Sequence, residues 1–221
     1  MGSAGQPAGP SGPASGAAAS ERPAARERVV LDDTRIRRAL VRIAHEVVES
    51  NADLRSLYLV SIPNGGVPLG RILVKNIAEI SDVQVPLGIL DTTLYRDDLA
   101  LRGTRPRLRR TEMPSSVDGR VVVLVEDVVN TGRTIRAGMD ALMDFGRPRA
   151  VQVVALVDRG HRELPIKIDY VGKNIPTRPG ETVVFRGEEE DGASPLEAVV
   201  QEHSHEGGSE ASEGMESGGR G

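Results

Sequence analysis

The run VVVLVEDVVNTGRTIRAG at residues 121–138 constrains this chain more than any other stretch. Its first five residues are apolar and four of them are valine. A strand with one wet face would alternate apolar and polar side chains, so this one is expected to be buried on both faces. Two adjacent acids, Glu126 and Asp127, stand at its end, and a Thr-Gly-Arg-Thr turn opens a helix expected from about residue 132 to 145. The same alternation surrounds it. A helix is predicted over 33–50, where Ile36, Leu40, Ile43 and Val47 recur at helical spacing behind an Asp cap. A strand at 57–62 leads through a Gly-rich turn, Asn64-Gly65-Gly66, into a helix ending near residue 80, and further strands are expected at 85–90 and 151–157. Strands alternating with helices imply an α/β fold with a mainly parallel sheet covered on both faces. Ligands of such sheets sit beyond the carboxyl ends of the strands, which directs attention to Glu126 and Asp127.

Length and charge bound the rest. A chain of 221 residues can bury one good core, so one folded domain is expected, over residues 29–187. The formal net charge is -4, but residues 188–221 carry ten acids and one base, Arg220, for -9. Residues 1–28 carry +1, which leaves +4 on the middle of the chain. Both ends are rich in Gly, Ala and Ser with few large apolar residues, so 1–28 is read as a disordered extension and 188–221 as an acidic disordered tail. That tail either solubilises the protein or screens a basic face. There is no cysteine, hence no disulfide framework and no thiolate chemistry. Neither a signal peptide nor a membrane-spanning run is visible, so a cytoplasmic location is expected.

Two carboxylates at a strand end can accept hydrogen bonds from a vicinal diol, and the turn beside them suits a phosphate. Backbone N–H groups from Asn130 to Thr134, the Thr131 and Thr134 hydroxyls and the positive end of the new helix would hold a monoester, with Gly132 permitting close approach. An acidic strand end before an ordinary helix would also contain two acids and a threonine. The whole thirteen-residue run at 122–134 is much more specific.

That run, VVLVEDVVNTGRT, resembles the phosphoribosyl pyrophosphate (PRPP) motif of type I phosphoribosyltransferases. Together with DRGHRELPIKIDYVGKNIPT and ILDTTLYRDDL it resembles the PyrR family of pyrimidine regulators, over about residues 29–184. The resemblance implies a type I phosphoribosyltransferase fold with a small hood and a mobile loop over 92–114. It implies an RNA-binding regulator of pyr messenger RNA leaders that senses UMP and UTP, and a uracil phosphoribosyltransferase that makes UMP and pyrophosphate. A regulator with little turnover and a salvage enzyme without RNA binding stay open beside it. Glu126 and Asp127 would hold the ribose hydroxyls, and Val128, Val129, Asn130, Thr131, Gly132, Arg133 and Thr134 the 5'-phosphate turn. Asn64, Gly65 and Gly66 match the pyrophosphate loop, where family members usually show Thr-Arg-Gly; the missing Arg predicts weaker neutralisation of the leaving group. Arg96 and Arg105, in the mobile loop, would reach pyrophosphate. Arg159 and Val183 would border uracil. His45, His161, Arg162, Lys167 and Lys173 match the RNA-facing positions. Magnesium would arrive with PRPP, with no metal site built by the protein alone, and a homodimer or higher homo-oligomer is implied. Purine-type relatives place an Asp before the Thr-Gly as a proton acceptor. Asn130 cannot serve that way, which fits uracil with its more acidic N–H.

Overall fold

The computed structural model describes residues 26–63, 65–97, 108–187 and 195–202. Asp32 caps the first helix, α1 (Asp33–Ser50), by accepting the Arg35 N–H at 2.8 Å, and Ile36, Leu40, Ile43 and Val47 form its buried stripe. Strand β2 (Leu57–Ser61) is buried along its whole length and leads into α2 (Gly66–Ser81). Strand β3 (Leu87–Ile89) is shorter than the expected 85–90, because only its middle pairs with β2. Strand β4 (Val121–Val129) runs four residues beyond the apolar pentad, so Glu126 and Asp127 lie in the strand. It pairs with β5 (Ala150–Asp158) as far as Val129 opposite Asp158. Helix α3 (Arg133–Leu142) follows and tightens into a single 3-10 turn at Met143–Phe145.

These strands and β6 (Tyr170–Asn174) form a five-stranded sheet ordered β3-β2-β4-β5-β6 with every pair parallel. Alternation along the strands divides the core. Leu57, Leu59, Val121, Val123 and Val125 face α1 and α2, while Tyr58, Val60, Val122 and Leu124 face Ile135 and Leu142 of α3. Burial of both faces explains why β4 reads as an unbroken apolar run. Arg42 of α1 donates to the Val171 and Gly172 carbonyls at 2.9 Å each, fastening the helix to the edge strand β6.

A second, antiparallel sheet corrects the expected domain limits. Strand β8 (Glu197–Glu202) lies between β1 (Glu27–Leu31) and β7 (Glu181–Arg186). Leu196, Ala198, Val199 and Val200 are buried at 2% exposure or less. The boundary read at residue 187 therefore moves to 202 for the described residues, and the first strand starts at Glu27. Acidic composition concealed a short apolar segment, one of whose two partner strands, β1, lies at the other end of the domain. Its backbone groups are satisfied by strands from both ends of the domain.

Candidate active site

Neighbouring strands β2 and β4 send their following helices to opposite faces of the sheet, α2 to one core and α3 to the other. The loops at their carboxyl ends therefore diverge, and an open α/β sheet binds ligands in such a crevice. A cleft of about 880 Å³ opens at the carboxyl end of β4, floored by Glu126 to Ile135 and walled by Arg96, Asp97, Arg159, Glu163 and residues 183–185 of β7.

The acid pair is short of donors. Glu126 is 8% exposed and its Oε2 has no hydrogen-bond partner. Burial, then the charge of Asp127, push its pKa well above the usual carboxylate range, and the nearby Arg96 pulls the other way. Burial also raises Asp127, against the Val128 N–H donated to its Oδ1 at 2.8 Å. A buried acceptor without a donor is costly, so the pair is suited to a ligand that brings hydroxyl hydrogens. The turn after β2 approaches this pair closely. A Cβ added at Gly65 would lie 2.2 Å from Asp127 Oδ2 and 2.5 Å from its Cβ, so only glycine leaves the carboxylate where it is.

The phosphate turn follows directly. Gly132 has φ +90, the left-handed region, and as the N-cap of α3 it brings no capping side chain; the Arg133 N–H donates to Thr131 Oγ1 at 3.3 Å. The remaining N–H groups of the helix start and the positive end of the helix dipole suit an anion. Arg96 donates to Thr134 Oγ1 at 2.8 Å, which brings this sequence-predicted cation to the rim of the turn. The Arg133 guanidinium is held by Asp97 at 2.5 Å and Glu163 at 2.8 Å, so its main chain is what it offers a phosphate. From the outer side the chain after β5 holds the turn's carbonyls. The Arg159 N–H donates to Val129 O at 3.0 Å, Arg162 Nη1 to Asn130 O at 2.7 Å, and the Glu163 and Leu164 N–H groups to Thr131 O at 3.0 and 3.2 Å.

Beneath the antiparallel sheet, Arg159 lines the cleft with its guanidinium on Thr177 Oγ1 (3.0 and 3.1 Å) and the Glu181 carbonyl (2.6 Å); burial lowers its pKa. His161 Nε2 lies 3.0 Å from the Thr177 carbonyl oxygen and 3.2 Å from its hydroxyl. Val183 stands in the wall, accompanied by Val184 and Phe185.

The structure thus brings together Glu126 to Thr134, Arg96, Arg159 and Val183. The five positions matched to an RNA face differ in their surroundings. His45 on α1, Lys167 ahead of β6 and Lys173 on β6 are exposed; His161 is exposed too, though its Nε2 lies against Thr177, whereas the Arg162 guanidinium is directed to the Asn130 carbonyl. Asn64 and Arg105 lie outside the described residues. Sequence reasoning missed Thr177, which is 6% exposed and binds both Arg159 and His161, and the acids Asp97 and Glu163 that hold Arg133. The only hint for Thr177 was its place at the end of the run that carries the family resemblance. Among the described residues, no three His, Cys, Asp or Glu side chains converge to hold a metal, and no helix is long and apolar enough to cross a membrane.

This fold and cleft define a phosphoribosyl transferase domain, and the family model of that description matches residues 30–190. Solved hypoxanthine phosphoribosyltransferases share the fold. One from Staphylococcus aureus superposes with a TM-score of 0.54 at 23% identity, over 71% of this chain and 81% of its own. The bifunctional protein PyrR of Herpetosiphon aurantiacus is 56% identical over 173 residues, 78% of this chain and 97% of that relative. Its counterpart in Chloroflexus aurantiacus is 53% identical over 170 residues, 77% of this chain and 93% of that relative. The chain belongs to the PyrR family of phosphoribosyl transferase domain proteins.

Proposed function

We propose that the protein is a pyrimidine regulator that binds pyr messenger RNA in response to uridine nucleotides and converts uracil and PRPP to UMP and pyrophosphate. The observation that carries the chemistry is the buried, unpartnered Glu126 Oε2 next to Asp127, beside a turn into α3 whose N-cap glycine brings no capping side chain. The carboxylates accept the ribose 2'- and 3'-hydroxyls, and the N–H groups of Asn130 to Thr134 take the 5'-phosphate. Uracil enters against Val183 and Arg159. Its N1 forms a bond to the anomeric carbon as the bond to pyrophosphate breaks, the leaving electron pair departs with pyrophosphate, and the N1 proton passes to solvent. Arg96, beside Thr134, supplies positive charge near the transferring group.

The donor set fits magnesium that arrives with PRPP. Magnesium keeps waters and takes one or two carboxylates plus substrate phosphates, and the unpaired Glu126 Oε2 is a hard oxygen of that kind. Glu126 and Asp127 would hold it through the ribose hydroxyls, and its chemistry there is to neutralise the departing pyrophosphate.

RNA binding is supported by family membership and by a continuous surface of α1 and β6, which Arg42 fastens together and which carries the exposed His45 and Lys173. Lys167, 85% exposed and 3.3 Å from Asp169, adds a third cation for phosphates. The reading places the protein in the cytoplasm as a homo-oligomer. Gly65 favours a second emphasis, a regulator with slow turnover, because no arginine can stand where Asp127 now lies.

The deciding experiment is UMP formation from uracil and PRPP with magnesium, with hypoxanthine and orotate as controls and Asp127→Asn in parallel. Losing a charge-assisted hydrogen bond is worth about 1.5–3 kcal/mol, so PRPP affinity should drop roughly tenfold to a hundredfold in the variant. Unchanged affinity would overturn the site, and uracil-specific turnover that the variant abolishes would establish it.

A further inference from the structure

Arg162 matches a position that the family resemblance assigns to RNA, yet its side chain is directed into the protein. It is 20% exposed, and each part of its guanidinium is engaged: Nη1 with the Asn130 carbonyl at 2.7 Å, Nη2 with Asp158 Oδ2 at 2.9 Å and Nε with the Ile166 carbonyl at 3.3 Å. Asp158 closes β5 and pairs with Val129, so the fork spans from a sheet residue to the phosphate turn.

Geometry makes the Asn130 contact consequential. In a trans peptide the carbonyl of one residue and the N–H of the next point in opposite directions. Three successive carbonyls of the turn, Val129, Asn130 and Thr131, are drawn to the same segment, by the Arg159 N–H, by Arg162 and by the N–H groups of Glu163 and Leu164. The next N–H groups, on Asn130, Thr131 and Gly132, are therefore turned away from that segment, in a turn that lines the cleft together with Arg159 and Glu163. A nest for a phosphate needs successive N–H groups held in that way. Two of the three clamps are main chain to main chain. The central peptide is held by Arg162 alone among the side chains of 159–164.

We infer that Arg162 is a positioning residue for the 5'-phosphate, aligning the Thr131 N–H toward the ligand by pinning the Asn130 carbonyl. This rests on the proposed nucleotide site and adds to it a residue that never touches substrate. The arginine fork is required, since lysine presents one point charge to acceptors lying in three directions.

The test compares UMP with uridine, which lacks the phosphate, by calorimetry on wild type, Arg162→Ala and Arg162→Lys. UMP affinity should fall about tenfold in Arg162→Ala, from the loss of one short charge-assisted hydrogen bond, while uridine affinity holds. The KM for PRPP should rise by a similar factor with kcat little changed. Arg162→Lys should show the same selective loss in smaller degree, and it carries the comparison if the alanine variant does not stay folded. Equal losses for UMP and uridine would mean a merely structural arginine and overturn the inference. Unchanged UMP affinity would do the same, leaving Arg162 to an outside partner. A wild-type protein that binds neither nucleotide would overturn the proposed function itself, whereas the first two results strike the inference alone.

Discussion

Replacing Gly65 by alanine tests whether the two halves of the site are built against each other. The residue has φ -86 and ψ -19, a backbone conformation open to any L-residue, so alanine meets no conformational penalty and restricts the unfolded chain by about 0.4–1 kcal/mol in favour of folding. The obstacle is space. The new Cβ would lie 2.2 Å from Asp127 Oδ2, 2.5 Å from its Cγ and 2.5 Å from its Cβ. Rotating the carboxylate relieves the first two contacts but not the third, so the β2–α2 turn or the end of β4 must shift by about 1 Å to reach an ordinary carbon–carbon separation. Overpacking of that kind costs about 1–3 kcal/mol, partly offset by the gain just given. The larger consequence is catalytic, because a misplacement of about 1 Å at a positioned group can cost on the order of a hundredfold, roughly 2.7 kcal/mol. Steady-state kcat/KM for PRPP and a thermal melt of the same preparation should show a modest drop in Tm beside a fall of about a hundredfold in turnover. Gly65→Arg, which restores the residue usual in the family, should not raise the rate. Wild-type kcat/KM in Gly65→Ala would refute the idea that Asp127 depends on the missing side chain.

Glu126 also makes stability depend on pH. Its folded pKa is raised above the ordinary 4.5 by burial and by Asp127, so the folded state binds the proton more tightly than the unfolded chain, and stability declines as pH rises through that window. The Tm difference between Glu126→Gln and wild type should accordingly move in favour of the variant as pH rises above the ordinary 4.5, while PRPP binding weakens; a difference that is flat with pH would contradict the assignment. Leu196→Ala, at a side chain 1% exposed beneath the antiparallel sheet, should cost about 2–5 kcal/mol in denaturant unfolding. A chain ended at Gly187 loses the central strand of that sheet and should fail to fold cooperatively, as followed by circular dichroism on heating; a normal melt would show that β8 is dispensable.

Much of the site was legible because its information is local. The apolar pentad of β4, the two acids and the turn into α3 are contiguous, and burial on both sheet faces leaves its mark in a run of valines. The helix over 33–50 was equally plain, since its cap and its stripe recur within a few residues. Strand β8 was hidden for the opposite reason. Six residues in an acid-rich stretch carry too little pattern of their own, and they become a strand only through β1 and β7, contributed from elsewhere in the chain.

By itself the sequence determined the parallel α/β core, the order of its elements and the residue types at the strand end, because periodicity and turn chemistry act over short separations. The tertiary structure alone decided which distant residues meet. Gly65 lies against Asp127 because β2 and β4 are neighbours whose helices leave on opposite faces, and no local pattern encodes that pairing. Arg162 left the expected surface for the Asn130 carbonyl because the chain after β5 folds back over the turn after β4. A residue's type states what it can bond to, and only the fold states what comes within reach.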